Sequence, residues 1–253
     1  MNSCLMYAAN WKMNMSAGDA ADFADKAKAW IARHHELQNY IVICPSFPFI
    51  LPLAIELGNS GIITGAQNCS EFPHGAYTGQ VSAKQLADVG AMFCIVGHNE
   101  CRSLLHESSD AIGKKVSLLF EHAINPIVCV GETAFEFEQH QTLTILEQQL
   151  APIIKAIKSA QSIPHEFIIA YEPVWAIGTG KTPEPQTLEN VFSWILSHMQ
   201  SKAPSIQKIR ILYGGSVDSL NAKSFKHIKG LGGFLIGGAS LDFQKFKNIV
   251  GLD

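Results

Sequence analysis

Five short stretches carry residue types that could do chemistry together. They are Asn10-Trp11-Lys12-Met13-Asn14, Gly97-His98-Asn99-Glu100-Cys101-Arg102, Tyr171-Glu172-Pro173 through Gly180-Lys181, Tyr213-Gly214-Gly215-Ser216 and Gly237-Gly238-Ala239-Ser240. A lysine, a histidine and a glutamate on separate segments suit proton abstraction next to a carbonyl, which needs one base, one hydrogen-bond donor and one fixed cation. Glycine turns and helix N-termini present backbone N–H groups and so make a ready anion site. A carboxylate at Glu172, followed by Pro173, Val174 and Trp175, should be partly desolvated and therefore a stronger base. Each residue alone has a plainer reading: Lys12 as a solvated loop lysine, His98 as a hydrogen-bonded core histidine, Glu172 as a cap or ion-pair partner. The glycines alone could be tight connections. What argues for a site is that every stretch directly follows a short apolar run.

Those runs are Leu5–Ala9, Tyr40–Cys44, Ile62–Ala66, Met92–Val96, Pro126–Val130, Phe167–Tyr171, Ile209–Tyr213 and Phe234–Ile236. They are continuous rather than alternating, as strands buried on both faces must be. Amphipathic segments lie between them. Phe23, Ala27, Trp30 and Ile31 share a helical face, as do Leu143, Leu146, Leu150, Ile153 and Ile157; Leu188, Val191, Ile195 and Met199 form a third stripe, and Phe243, Phe246 and Val250 a fourth. Ser108 with Asp110, Thr187 and Ser219 stand as helix-start residues. Eight strands, each followed by a helix, in a chain of 253 residues predict an α/β protein: a (β/α)8 barrel of eight parallel strands with outer helices, one domain over residues 1–253. An open doubly wound sheet gives the same alternation, but the count of eight with no segment left over favours the barrel. In either fold the ligand site lies at the C-terminal strand ends, and barrels often hold a phosphate after strands seven and eight.

Composition narrows the function classes. Apolar residues make up 47% and charged residues 16%, against about 25% charged in an average soluble domain, which excludes disorder. A net charge of −3 carries no basic footprint for nucleic acid. The least polar stretch, Tyr40–Ile55, is broken by Pro45, Pro48 and Pro52 and falls short of the ~20 residues that span a membrane. The N-terminus lacks a secretory pattern, so the cytoplasm is expected. Six cysteines, at 4, 44, 69, 94, 101 and 129, form no Cys-x-x-Cys pair and read as reduced thiols, with Cys44, Cys94 and Cys129 packed in strands. His34-His35-Glu36 lacks metal-binding spacing, and neither nucleotide-loop pattern is present, so no metal or cofactor is expected.

The same stretches, in this order and spread over nearly the whole chain, closely resemble the triosephosphate isomerase family; Tyr-Glu-Pro-Val-Trp-Ala-Ile-Gly-Thr-Gly-Lys is the most specific. The resemblance implies a TIM barrel isomerase of glycolysis and gluconeogenesis acting on a small-molecule triose phosphate. It makes Glu172 the general base, His98 a neutral electrophile and Lys12 the cation that stabilises an enediolate, with Asn10 positioning substrate and Glu100 in support. Gly178, Ser216, Gly237 and Gly238 then grip the phosphate. Pro173, Val174, Trp175, Ala176, Ile177, Gly178, Thr179, Gly180 and Lys181 form a lid that Tyr213 and Ser216 hold when closed. The Gln67–Gln80 connection, with Gly75, Ala76, Tyr77, Thr78 and Gly79 at its core, implies a homodimer in which Thr78 reaches the partner's site.

Several positions depart from the family. Asn99 stands for a usual serine, Gln80 for a glutamate, Cys101 for an arginine and Gly232 for an aspartate. The glutamate and arginine commonly pair near the dimer interface, so their joint absence reads as compensated loss, because neither charge is left buried alone. Cys101 at an interface is expected to sensitise the dimer to thiol reagents. The alternative function is a non-catalytic phosphosugar-binding or surface-adhesion barrel, which would be expected to lose one of Lys12, His98 or Glu172. A Schiff-base aldolase would need a lysine within a strand run, and none of the eight runs has one.

Overall fold

The structure, a computed structural model, describes residues 5–38, 40–178 and 182–251. Each apolar run forms a strand: β1 (Met6–Asn10), β2 (Ile41–Cys44), β3 (Ile62–Ala66), β4 (Phe93–Val96), β5 (Asn125–Val130), β6 (Glu166–Tyr171), β7 (Lys208–Tyr213) and β8 (Leu231–Ile236). All pair in parallel, and β8 returns to β1, so the sheet is a closed barrel with no edge. That closure excludes the open-sheet alternative.

The continuity of the runs has a direct cause. Alternate residues point inward, where Met6, Ala8, Val42, Ile95, Ile127, Ile168, Leu212 and Leu235 fill the lumen. The intervening residues, such as Tyr7, Ile43, Val96, Val128, Ile169 and Ile211, pack outward against helices that supply Phe23, Trp30, Leu150, Ile153, Phe192 and Phe246. Both strand faces are therefore apolar.

Most of the helical stripes are buried as expected, but Leu143 is exposed, in the first turn of the Thr142–Ser159 helix. Ser108 caps its helix by accepting from Ala111 N. Two other expected starts shift. The helix near Thr187 begins at Pro185, whose missing N–H suits a first turn. The one near Ser219 is capped by Asp218, which accepts from Leu220 N and Asn221 N. Short extra helices, Asn99–Leu104 and Ala134–Glu138, follow β4 and β5 before the main helices. No helix among the described residues is long and apolar enough to cross a membrane.

Closure depends on a glycine. A Cβ at Gly233 would lie 2.0 Å from the Met6 carbonyl oxygen, so only glycine lets β8 reach β1. Beside it, the β7–β8 register slips between Ile211 and Leu212. There Arg210 Nη1 donates to the Gly232 carbonyl at 2.9 Å. A Cβ at Gly232 would sit 2.6 Å from Arg210 Cγ, so glycine leaves room for the arginine stem. The carboxylate an aspartate would bring on β8 comes instead from Glu166 on β6, whose Oε1 lies 3.0 Å from Arg210 Nη2 and 2.6 Å from Lys208 Nζ. Lys208 is thus within a strand after all, but at its N-terminal end and ion-paired, away from the rim that carries the site.

Burial alone would push the Glu166 carboxyl up; the hydrogen bonds from Arg210 and Lys208 outweigh it and hold the group below the usual carboxylate range. Its contribution to stability is therefore present above the unfolded-state value and is lost as pH falls through the lower folded-state value. Glu166→Gln should destabilise the fold by about 1–2 kcal/mol at pH 7, less than a fully buried pair because Glu166 is partly exposed. Paired thermal melts should show the gap between wild type and variant narrowing below about pH 4.

Candidate active site

Five strands deliver the candidate groups to one rim. Trp11, fully buried after β1, anchors the first turn by donating Nε1–H to the Ser240 carbonyl at 3.1 Å. Lys12 follows with φ 51°, left-handed backbone that a non-glycine residue adopts only when its surroundings hold it there. Three side chains do so. Asn10 Oδ1 accepts from Lys12 N at 3.0 Å, and the Lys12 carbonyl accepts from Ser46 Oγ at 3.0 Å and Gln67 Nε2 at 2.8 Å. Gln67 Nε2 also reaches the Cys44 carbonyl at 3.0 Å, tying β1, β2 and β3 together. The Lys12 ammonium pairs with Glu100 Oε1 at 2.6 Å, and a Cβ at Gly237 would meet Lys12 Cε at 3.4 Å.

His98 caps the Asn99–Leu104 helix, its Nδ1 accepting from Glu100 N at 3.2 Å. An imidazole that accepts at Nδ1 carries its proton at Nε2 when neutral. Nε2 lies 3.2 Å from Glu172 Oε1. The other carboxylate oxygen of Glu172 accepts from the Asn99 backbone N–H at 3.0 Å. That contact uses the backbone, so the asparagine–serine departure leaves it intact. Arg102 locks the turn by donating to the Gly97 carbonyl at 2.8 Å, the Cys129 carbonyl at 3.1 Å and Ser109 Oγ at 3.0 Å. A Cβ at Gly131 would fall 1.8 Å from the Glu172 carbonyl oxygen, so glycine must follow β5 for Glu172 to pass beside it.

Asn10, Lys12, His98 and Glu172 share a cavity of about 200 Å³ with Ile177, Gly178, Ser216, Gly237 and Gly238. His98 and Glu172 are buried, at 6% and 2% exposure, so their contact is largely shielded from water. A Cβ at Gly238 would meet nothing within 4 Å, so the backbone of this turn lies open to the cavity.

The segment after Glu172 begins with a single turn, Val174–Ala176. Trp175 Nε1 donates to Glu132 Oε1 at 3.0 Å, and Tyr171 Oη donates to the same carboxylate at 3.0 Å. Burial pushes the Glu132 carboxyl up, with the donors from Trp175 and Tyr171 acting against it. Ser216 Oγ donates to the Ala176 carbonyl at 2.6 Å. Tyr213 Oη, buried over Gly215, has no hydrogen-bond partner among the described residues. Gly178 is exposed, and Thr179, Gly180 and Lys181 lie outside the described residues.

Gly75, Ala76, Tyr77, Thr78 and Gly79 are exposed and none lines the cavity of its own chain. Tyr77 stacks on Phe72 with centroids 4.0 Å apart and planes 2° from parallel, which stiffens the loop. Cys101 is half-buried; burial and the nearby Glu107 push its thiol up to about 11. Little thiolate exists there at neutral pH, which counts against the expected thiol sensitivity. Cys44, Cys94 and Cys129 are buried as expected, and all five described cysteines are free.

With this geometry in place, similarity to known proteins decides the family. The profile described as Triosephosphate isomerase matches residues 5–252. The chain belongs to the triosephosphate isomerase family. A triosephosphate isomerase of Nitrosomonas europaea is 40% identical over 244 residues, 96% of this chain and 95% of that one. Those of Aquifex aeolicus and Bordetella pertussis are 37% and 38% identical, each covering 97% or more of both chains. Within this triosephosphate isomerase fold, Gln67, Ser46, Glu132 and Arg102 hold the site in place although the sequence reading gave them no role. Gln67 and Ser46 carry a usable signal, since each is a polar residue just after a strand; Glu132 reaches Trp175 and Arg102 reaches the Cys129 carbonyl through contacts that only the fold makes. Gln67→Leu removes one of the two donors to the Lys12 carbonyl together with the tie to the Cys44 carbonyl, and steady-state assays should show kcat/KM reduced about tenfold with an unchanged circular-dichroism spectrum.

Proposed function

We infer that the chain interconverts dihydroxyacetone phosphate and D-glyceraldehyde 3-phosphate through an enediolate. The observation that carries this reading is the convergence of Glu172, the Nε2–H edge of His98 and the Lys12 ammonium on one small cavity beside the Ser216 and Gly237-Gly238 turns. Glu172 removes a proton from the carbon next to the carbonyl and returns it to the neighbouring carbon. His98 donates a hydrogen bond to the oxygen on which charge develops, and Lys12 stabilises that charge. Asn10 positions substrate, Glu100 supports the Lys12 ammonium, and the turns with Gly178 hold the phosphate. The hydroxyl proton passes from one oxygen to the other through Nε2 of His98, so atoms and charge balance with proton transfers alone and the reaction consumes no co-reactant.

Residues 173–181 act as the lid in this reading. Closure carries Ile177 and Gly178 over the substrate and excludes water, which protects the enediolate from losing phosphate. The Tyr213 hydroxyl, without a hydrogen-bond partner among the described residues, supplies a donor for the closed position, and Ser216 holds the lid at the Ala176 carbonyl. The chain is one catalytic domain working as a cytoplasmic homodimer in glycolysis and gluconeogenesis. The exposed Gly75–Gly79 loop and Met13, 94% exposed beside Lys12, are the surfaces a second copy covers, with Thr78 reaching the partner's Asn10 and Lys12.

A coupled assay with a chelator present should show turnover of either triose phosphate, falling about a thousandfold in Glu172→Gln and at least a hundredfold in Lys12→Ala. An inactive wild type, or full activity in Glu172→Gln, rejects the reading. Gel filtration should give the mass of two chains. Gln80→Glu should weaken the dimer and Gln80→Glu with Cys101→Arg restore it; equal behaviour of the two variants contradicts the compensated-loss account.

A further inference from the structure

Away from the cavity, one buried ion pair serves no step of the mechanism. Lys115, on the Ser109–Glu121 helix, pairs through Nζ with Glu107 Oε1, the two side chains being only 7% and 8% exposed. Lys115 Nζ also donates to Asn68 Oδ1 at 2.8 Å. None of these three residues lines the cavity. The second oxygen, Glu107 Oε2, is buried without a hydrogen-bond partner among the described residues, so the pairing of this carboxylate rests on Lys115.

Both residues that Lys115 grips belong to segments that hold the site. Asn68 directly follows Gln67, whose amide donates to the Lys12 and Cys44 carbonyls. Its remaining contacts are local: Oδ1 accepts from Cys69 N at 2.8 Å, and Nδ2 donates to Cys101 Sγ at 3.5 Å. Glu107 secures the end of the Asn99–Leu104 helix. After His106, left-handed at φ 54°, the Glu107 N–H donates back to the Cys101 carbonyl at 3.0 Å. The first turn of that helix supplies the Asn99 N–H that holds Glu172 and the Glu100 carboxylate that holds the Lys12 ammonium. One buried ammonium thus ties the segment that aims Lys12 to the helix that aims Glu172.

We propose that Lys115 is a positioning residue for proton transfer: through Asn68 and Glu107 it keeps the Gln67 segment and the Asn99–Leu104 helix at the spacing that Lys12 and Glu172 need. The proposal rests on the isomerase reading given above and adds no contact with substrate. Proton transfer depends on the placement of these groups more steeply than binding does. A small misplacement therefore lowers kcat while KM stays nearly fixed.

The test is steady-state kinetics with dihydroxyacetone phosphate, well below the melting temperature, on Lys115→Met, on Lys115→Met with Glu107→Gln, and on Asn68→Ala, each paired with a thermal melt. Lys115→Met strands the Glu107 carboxylate; it should lower Tm, and lower kcat about tenfold with KM within about twofold of wild type. Adding Glu107→Gln removes the stranded charge and should recover most of the lost Tm, yet kcat should stay about tenfold down because the donor to Asn68 is still missing. Asn68→Ala leaves the ion pair in place and should lower kcat by a similar factor. A merely structural pair would lower Tm and leave kcat within about twofold of wild type in all three variants, which overturns the proposal. A kcat that returns with Tm in the double variant overturns it too, as does a KM that rises as far as kcat falls. Should Lys115→Met fail to fold, the double variant and Asn68→Ala carry the same expectations. An inactive wild type rejects the isomerase reading and the proposal together; an active wild type with unaltered kcat in the variants rejects the proposal alone.

Discussion

The seam between β1 and β8 is the constraint on which the rest depends. Lys12 and Glu172 are distant in sequence, and β1 carries the first while the turn after β8 touches it through Gly237. They face one cavity only because the eight-stranded sheet closes. Closure requires β8 to approach β1 closer than any side chain allows, which Gly233 permits at 2.0 Å from the Met6 carbonyl. The buried Arg210 at the adjoining slip is then neutralised from β6 by Glu166 rather than from β8.

Strain at the site follows from that frame. The left-handed Lys12 backbone is unfavourable alone, yet Asn10, Ser46 and Gln67 each satisfy one of its polar groups. The distortion is therefore distributed over three strand ends, and the ammonium is aimed before any substrate arrives. His98 is oriented likewise: a helix start supplies the N–H that fixes its Nδ1 as acceptor, leaving Nε2–H toward the cavity. Preorganised donors of this kind need no reorganisation as charge develops.

Much of this was legible in the sequence, for physical reasons. Strands buried on both faces read as continuous apolar runs, so all eight were visible, with ends shifted by a few residues. The β8 run shows in the sequence only as Phe234–Ile236 because Gly232 and Gly233 carry no apolar signal, although Gly233 is what lets the barrel close. Leu143 broke its stripe because an exposed first helical turn tolerates an apolar residue. The candidate site residues are visible since they follow strands directly, and Gln67 and Ser46 obey the same rule. The ties of Glu132 to Trp175 and of Arg102 to the Cys129 carbonyl are not legible, because each spans more than 25 positions.

The central claim is that one carboxylate, Glu172, moves a proton between adjacent carbons. Isomerisation of dihydroxyacetone phosphate in deuterium oxide, followed by NMR of trapped D-glyceraldehyde 3-phosphate, tests it directly. Solvent deuterium should appear at carbon 2, since a carboxylic acid formed at Glu172 exchanges with solvent before returning its proton. Product formed at full rate by Glu172→Gln with no deuterium at that carbon would mean a hydride shift that needs no carboxylate and would contradict the account.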